Sequence, residues 1–306
     1  MKIRIVFLTS QVRSETFKTE RFFELFSNEI YDINLVFDFD ESLDYKPDLI
    51  ISKFFDVFKF DEGNHNEVIS FMDKQKEKLS GIKTINSFDI ISKLTDRQHE
   101  MEFCQEIIDK IRNEYKEIEA FIPEYQIIKS FEEFNDCVIN QFPTIIKSLN
   151  SHGKNSKLHE CIFLMNKFDS ITKQIKFPII CQKFLNHNGV IVKIYVMGKF
   201  SFVTQIESIE NSNEIHQSFS FQTKKNSKKI SFDIPDEEKK KLERFSQLFR
   251  HYSKLDVFNL DLLITRKIGE NIKEIALIDL NIFPTCKKVP NYHERLFDLV
   301  RDHVSK

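Results

Sequence analysis

The sequence predicts a mixed α/β fold, with an N-terminal parallel α/β unit followed by β-rich lobes. Three observations carry this. Short apolar runs alternate with helix-spaced apolar residues over the first 95 positions, the order expected when helices cover both faces of a parallel sheet. From position 125 onward strand-like runs dominate, broken by one long amphipathic helix. Nowhere do about 18 apolar residues run together, so the apolar material belongs to a packed core and not to a membrane span.

The elements follow in order. Lys2–Leu8 reads as a buried strand; its apolar run is interrupted at Arg4 and is too short for the core of a signal peptide. Glu15–Glu29 carries Phe22, Phe23, Leu25 and Phe26 at helical spacing. Ile33–Phe37 and Asp48–Ser52 read as strands, and Asn66–Leu79 as a helix. The second segment, 96–183, opens with a helix over Asp96–Tyr115, striped by Met101, Cys104, Ile108, Ile111 and Tyr115. Tyr125–Ile128, Thr144–Ile146, Glu160–Leu164 and Ile179–Gln182 are short β runs. The third segment, 184–306, begins with a hairpin of Val190–Met197 and Phe200–Ile206 around Gly198 and Lys199. Asp236–Leu255 is a helix with acids 236–238 at its start and Arg250, His251 and Lys254 at its end, as the helix dipole favours. Strands Phe258–Thr265 and Glu274–Asn281 and a closing helix from Tyr292 complete the chain, and the lysine-rich stretch Lys224–Lys229 is expected to be a surface loop.

Composition excludes several functions. The 306 residues hold 45 basic and 47 acidic side chains, so a bulk nucleic-acid binder is not expected and any anion site must be local. Six glycines form neither GxGxxG nor GxxxxGK[ST], which removes the glycine-loop nucleotide folds. The five cysteines, Cys104, Cys137, Cys161, Cys181 and Cys286, are scattered and odd in number. They read as buried thiols of a reducing compartment, and a cytoplasmic protein without membrane insertion is expected.

Chemistry is concentrated in a few runs. Ile275–Pro284 is an apolar strand ending in Asp279, Leu280 and Asn281. Residues two apart share a strand face, so Asp279 and Asn281 would present oxygens side by side, with Cα atoms roughly 7 Å apart. Asp261 stands inside another apolar run, where a carboxylate needs compensation. Two acids and a carboxamide suit Mg²⁺ held jointly with phosphates; a strand-end cap is the plainer alternative. Lys147 ends the strand Phe142–Lys147, and the polar loop Ser151–Lys157 follows. Such a loop can close over phosphates or serve as a plain hairpin connection. Lys193 lies on one face of Val190–Val196 with Ile191 and Tyr195, and Gln182–Leu185 is an extended run able to offer backbone groups to an adenine ring.

The order of these features resembles the ATP-grasp architecture. More narrowly, the chain resembles the inositol 1,3,4-trisphosphate 5/6-kinase family, also called inositol-tetrakisphosphate 1-kinases. The resemblance is carried by Lys93–Arg97, Phe142–Lys147, His152–Ser156, Gln182–Lys193 (QKFLNHNGVIVK), Phe258–Ile264 and Ile278–Pro284. It implies ATP held between two β-rich lobes, 96–183 and 184–306, with the N-terminal domain, 1–95, on the substrate side. By the same resemblance Lys147 and Arg97 contact ATP, Gln182, Lys183, Phe184 and Leu185 read adenine, and Ser208 lies near the nucleotide, as do Ser218 and Thr223. Asp261, Asp279 and Asn281 would hold two Mg²⁺ ions. Lys193 and His152 would be catalytic. Arg13, Lys53, His152, Gly153, Lys157, Lys193, Asn281 and Lys287 would bind the inositol phosphate.

Two departures stand out. Lys157 occupies a position where the family commonly has a second histidine, and Thr285 one where it commonly has glycine. A lysine still binds phosphate as a point charge, whereas threonine denies the close backbone approach that glycine allows. The implied activity is transfer of the ATP γ-phosphoryl group to an inositol phosphate hydroxyl by a monomer. The alternatives are a carboxylate–amine ligase on the same fold and a catalytically inactive inositol phosphate binder.

Overall fold

The computed structural model describes residues 2–9, 14–15, 17–27, 30–37, 46–52, 70, 73–74, 77, 80–94, 96–136, 142–149, 160–166, 168–222, 234–265, 274–284, 286 and 288–305. The expected site residues Arg13, Lys53, His152, Gly153, Lys157 and Lys287 lie outside them, as do Thr223, Thr285 and the stretch Lys224–Lys229.

Strands β1 (Ile3–Leu8), β2 (Tyr31–Val36), β3 (Leu49–Ser52) and β4 (Lys83–Ile85) form a parallel sheet in the order β2-β1-β3-β4. Ile5, Val6, Phe7 and Leu8 are all buried, as a strand covered on both faces requires. Helix α1 (Thr19–Glu24) starts later than expected, because Lys18 before it takes a left-handed conformation with φ 57° and separates it from helical residues 14, 15 and 17, and it gives way to a turn at Leu25 and Phe26. Of the helix expected over 66–79, residues 70, 73, 74 and 77 are described and helical. A short helix, α2 (Phe88–Ile91), precedes α3 (Arg97–Glu114).

Two further sheets follow. One runs β11 (Phe200–Glu207), β10 (Val190–Met197), β13 (Val257–Thr265), β14 (Glu274–Ile282), β5 (Ala120–Phe121); the other runs β12 (Phe219–Phe221), β8 (Cys161–Leu164), β7 (Thr144–Ser148), β9 (Ile179–Lys183), β6 (Tyr125–Ile128). All their pairings are antiparallel except β14 with β5. Short helix α4 (Phe131–Asp136) borders β6. The sheets exchange strands across the sequence: β5 joins the β10-β13-β14 sheet, and β12 returns to the β7-β9 sheet.

Helix α3 and helix α5 (Asp236–Ser253) cover one face of the β10-β13-β14 sheet and bury Met101, Cys104, Ile108, Leu242 and Phe245 against Val192, Ile194, Leu260 and Leu277. Helix α6 (Tyr292–Val304) packs Leu296, Leu299 and Val300 with the parallel sheet and with Tyr195, Met197 and Val257. Among the described residues no helix is long and apolar enough to cross a membrane.

Candidate active site between the antiparallel sheets

The face of the β10-β13-β14 sheet turned away from α3 and α5 carries the chemistry. On β10, Ile191 and Tyr195 join separate apolar clusters, and Lys193 stands between them. The register sets Lys193 opposite Asp261, Asp261 opposite Asp279, and Asn259 opposite Asn281. Lys193, Asp261 and Asp279 therefore lie abreast on three adjacent strands.

A bulge makes this possible. Pairing passes from Asp261↔Asp279 directly to Leu262↔Leu277, so Ile278 is an extra residue. Strict alternation from Ile275 and Leu277, which pack on the helix side, would send Asp279 into that core. The extra residue shifts the parity: Leu280 takes the helix side, and Asp279 and Asn281 turn to the other face.

Each acid is already compensated. Lys193 Nζ bonds Asp261 Oδ2, and Asn259 Nδ2 donates to Asp261 Oδ1. Asn281 Nδ2 donates to Asp279 Oδ2 at 2.8 Å, and Arg97 Nη1 lies 3.7 Å from Asp279 Oδ1. Burial pushes Asp261 up, partly offset by Lys193. Burial works the same way on Asp279, but Arg97, Lys147 and Lys193 outweigh it and hold that carboxyl below its ordinary value. Glu100, buried on the first turns of α3, is pushed up to about 8 by burial and by the Asp279 charge.

The third sheet supplies the other wall. Lys147, next to last in β7, donates to Gln182 Oε1 on β9 at 3.1 Å and to the Ile278 carbonyl at 3.1 Å. Gln182 is buried, and its Nε2 has no hydrogen-bond partner among the described residues. Arg97 ties the same place to α3: its N–H donates to Leu149 O at 3.1 Å and its Nε to Ser148 O at 3.0 Å. Lys147, Gln182, Arg97, Asp279, Asn281, Asp261 and Lys193 thus form one connected neighbourhood.

The other expected nucleotide residues are placed differently. The Lys183 and Phe184 backbone N–H groups are taken by Glu124 O at 2.8 Å and Pro143 O at 3.1 Å. Ser208 Oγ meets His187 Nε2 at 2.9 Å, and His187 Nδ1 meets Leu185 O at 2.7 Å. Burial depresses the His187 pKa, so the ring bridges these groups in its neutral form. Ser218 Oγ accepts from Met165 N–H at 2.8 Å and bonds Asp169.

Sequence reasoning missed four residues here. Glu100 and Asn259 lie in the polar network just described. Thr9 and Ser52, at the C-terminal ends of β1 and β3, are buried, and their hydroxyls have no hydrogen-bond partner among the described residues. The strand order β2-β1-β3-β4 reverses direction between β1 and β3, which is where open parallel sheets bind ligands. A run such as Leu-Thr or Ile-Ser at a strand end carries no sequence signal of that kind.

Among the described residues no three His, Cys, Asp or Glu side chains are grouped to hold a metal. The Asp261, Asp279 and Asn281 set still fits Mg²⁺ in kind: two carboxylates and a carboxamide are hard oxygen donors, and cationic side chains now neutralise both acids.

Comparisons with known proteins bear on the family and the fold. Residues 116–302 match the family model described as the inositol 1,3,4-trisphosphate 5/6-kinase ATP-grasp domain. The chain is 26% identical over 288 residues to inositol-tetrakisphosphate 1-kinase 1 of Arabidopsis thaliana, covering 85% of this chain and 82% of that protein. It is 27% identical over 221 residues to inositol-tetrakisphosphate 1-kinase of Danio rerio, covering 65% of this chain but only 52% of that one. Among solved structures, a D-alanine–D-alanine ligase from Bacillus anthracis complexed with ATP superposes over 100% of this chain and 97% of its own, with a TM-score of 0.56 at 13% identity. Likeness at that identity concerns the fold alone.

Proposed function

Because the chain belongs to the inositol 1,3,4-trisphosphate 5/6-kinase ATP-grasp family, we propose that it transfers the γ-phosphoryl group of ATP to a hydroxyl of an inositol tris- or tetrakisphosphate. One observation carries this reading for the chain itself: Lys147 and Arg97 converge on Asp279 from elements outside its strand, at the seam between two antiparallel sheets.

Phosphoryl transfer needs positioning and charge neutralisation more than covalent chemistry. Lys147 and Arg97 are suited to hold the phosphates of ATP, and the unpartnered Gln182 Nε2 is a donor for the nucleotide. Lys183, Phe184, Leu185 and Ser208 line the adenine side in this reading. Asp261, Asp279 and Asn281 would hold Mg²⁺, two ions in the full reading, which supply charge neutralisation to the phosphates when bound. Lys193 then answers to the negative charge of the acceptor and His152 orients it. Arg13, Lys53, Gly153, Lys157 and Lys287 contact its remaining phosphates, and Asn281 serves acceptor and metal together. The buried hydroxyls of Thr9 and Ser52 support an acceptor site at that end of the parallel sheet. The working unit in this reading is a monomer in the cytoplasm, with no nucleic-acid partner.

Product mapping by NMR, after incubation with Mg·ATP and a panel of inositol tris- and tetrakisphosphates, tests the proposal. One regiospecific product, absent with Asp279→Asn, is expected. A panel left wholly unphosphorylated by folded wild-type protein overturns it.

A further inference from the structure

We propose that Glu100 is a positioning residue for the phosphoryl-transfer site, whose carboxyl oxygen accepts the Leu280 N–H and so fixes the strand segment carrying Asp279 and Asn281. The proposal rests on the kinase reading above.

The argument begins at the edge of a sheet. Strand β14 has β13 on one side, while on the other β5 pairs only with Ile275 and Ala276. Past Ala276 that outer edge has no strand partner among the described residues. Backbone groups left there must find partners or stay unpaired at a cost.

They find side chains. The Ile278 carbonyl accepts Lys147 Nζ at 3.1 Å, and the Leu280 N–H donates to Glu100 Oε1 at 2.8 Å. The two bonds bracket Asp279. In an antiparallel pair the N–H and C=O of one residue point to the same neighbour. The Leu280 N–H, turned to Glu100, is therefore not a rung toward β13, and Glu100 is its partner. The bulge at Ile278 interrupts the ladder just before Asp279, where pairing with β13 resumes, so β13 holds this segment on one edge and the two side-chain bonds hold it on the other.

Glu100 is well placed to be rigid. It stands on α3, whose Met101, Cys104, Ile108 and Ile111 are locked into the same core as Leu260, Leu277 and Leu280. Arg97 lies one turn earlier on the same helix face and reaches the Asp279 carboxylate while Glu100 holds the next backbone amide. An acid only 6% exposed is costly unless its oxygen is used, and the bond to Leu280 is that use.

Two variants separate the acceptor from mere bulk. Glu100→Gln keeps an acceptor oxygen; Glu100→Leu keeps most of the volume and removes it. Glu100→Leu should weaken Mn²⁺·ADP binding, followed by electron paramagnetic resonance, about tenfold or more, as loss of an outer partner of a metal ligand does. kcat should fall with it. Glu100→Gln should restore most of both. In wild-type protein the Leu280 amide should exchange with solvent as slowly as its β13-bonded neighbours.

Wild-type Mn²⁺·ADP affinity in folded Glu100→Leu overturns the proposal. So does Glu100→Gln failing as badly as Glu100→Leu. If Glu100→Leu does not fold, a fast-exchanging Leu280 amide in the wild type overturns it alone. Metal·ADP binding and amide exchange require no inositol phosphate, so their outcome is separate from that of the product map.

Discussion

Three acids meet three cations at the seam, and their environments push the acids apart. Asp279 is held low by Arg97, Lys147 and Lys193, against the effect of its burial. Glu100 rises from 4.5 to about 8, through burial and the Asp279 charge. Its folded value is raised, so the folded chain holds the proton more tightly than the unfolded one. Its contribution to stability is then fully present below its ordinary pKa of 4.5 and is lost as pH rises through about 8. Melting temperature measured between pH 5 and pH 9 should therefore fall with rising pH in the wild type, and Glu100→Gln should flatten that decline. A variant whose decline matches the wild type would show that Glu100 does not titrate in this window. The sequence marks Asp261, Asp279 and Asn281 because acids inside apolar strand runs are conspicuous. It does not mark Glu100, which follows Arg97, Gln98 and His99 at a helix start where polar residues usually face water.

At the scale of elements, apolar runs long enough to span a sheet were legible. Strands β10, β11, β13 and β14 lie within a residue or so of their expected positions. Strands β5 and β12, two and three residues long, were not, because their pairing partners lie far away in sequence and so few residues hold no periodicity. The bulge was equally silent: the run Ile275-Ala-Leu-Ile reads as continuous strand, and only the pairing reveals the extra residue. The hairpin tip, by contrast, announces itself through Gly198. There φ is +54°, and an added Cβ would lie 2.9 Å from Leu299 Cδ1 on α6. The Gly198 N–H also donates to Asp256 O at 2.8 Å, fixing the tip against the start of β13. Gly198→Ala should destabilise the protein by about 1–2 kcal/mol from the left-handed backbone alone, and by a little more as the Leu299 side chain gives way. Urea unfolding measures this. An unchanged midpoint would mean that the turn relaxes freely.

For the whole molecule, the cations of the proposed nucleotide site are also its stitches. Lys147 joins the β7-β9 sheet to Ile278 of the β10-β13-β14 sheet, and Arg97 joins α3 to Ser148, Leu149 and Asp279. The parallel sheet is tied on separately: Asn86 Oδ1 accepts from the Asp256 and Val257 N–H groups, each at 2.7 Å, and its Nδ2 donates to Val257 O at 2.6 Å. Opening the seam would break the first set of ties and leave the second intact. A nucleotide bound there replaces protein carbonyls with phosphates as partners for Lys147 and Arg97, and should close the seam more firmly than the side chains do alone. Ligand at 100 times its Kd stabilises a protein by about 2.7 kcal/mol, so saturating Mg·ADP should raise the wild-type melting temperature clearly. Arg97→Ala should lower the melting temperature without nucleotide, because it removes bonds to both sheets, and should also shrink the Mg·ADP shift. A full shift in Arg97→Ala would take the guanidinium out of the nucleotide site, and an unchanged melting temperature without nucleotide would mean that its bridge adds no net stability. The shift is taken from each protein's own ligand-free melting temperature, so a lower starting value does not by itself shrink it.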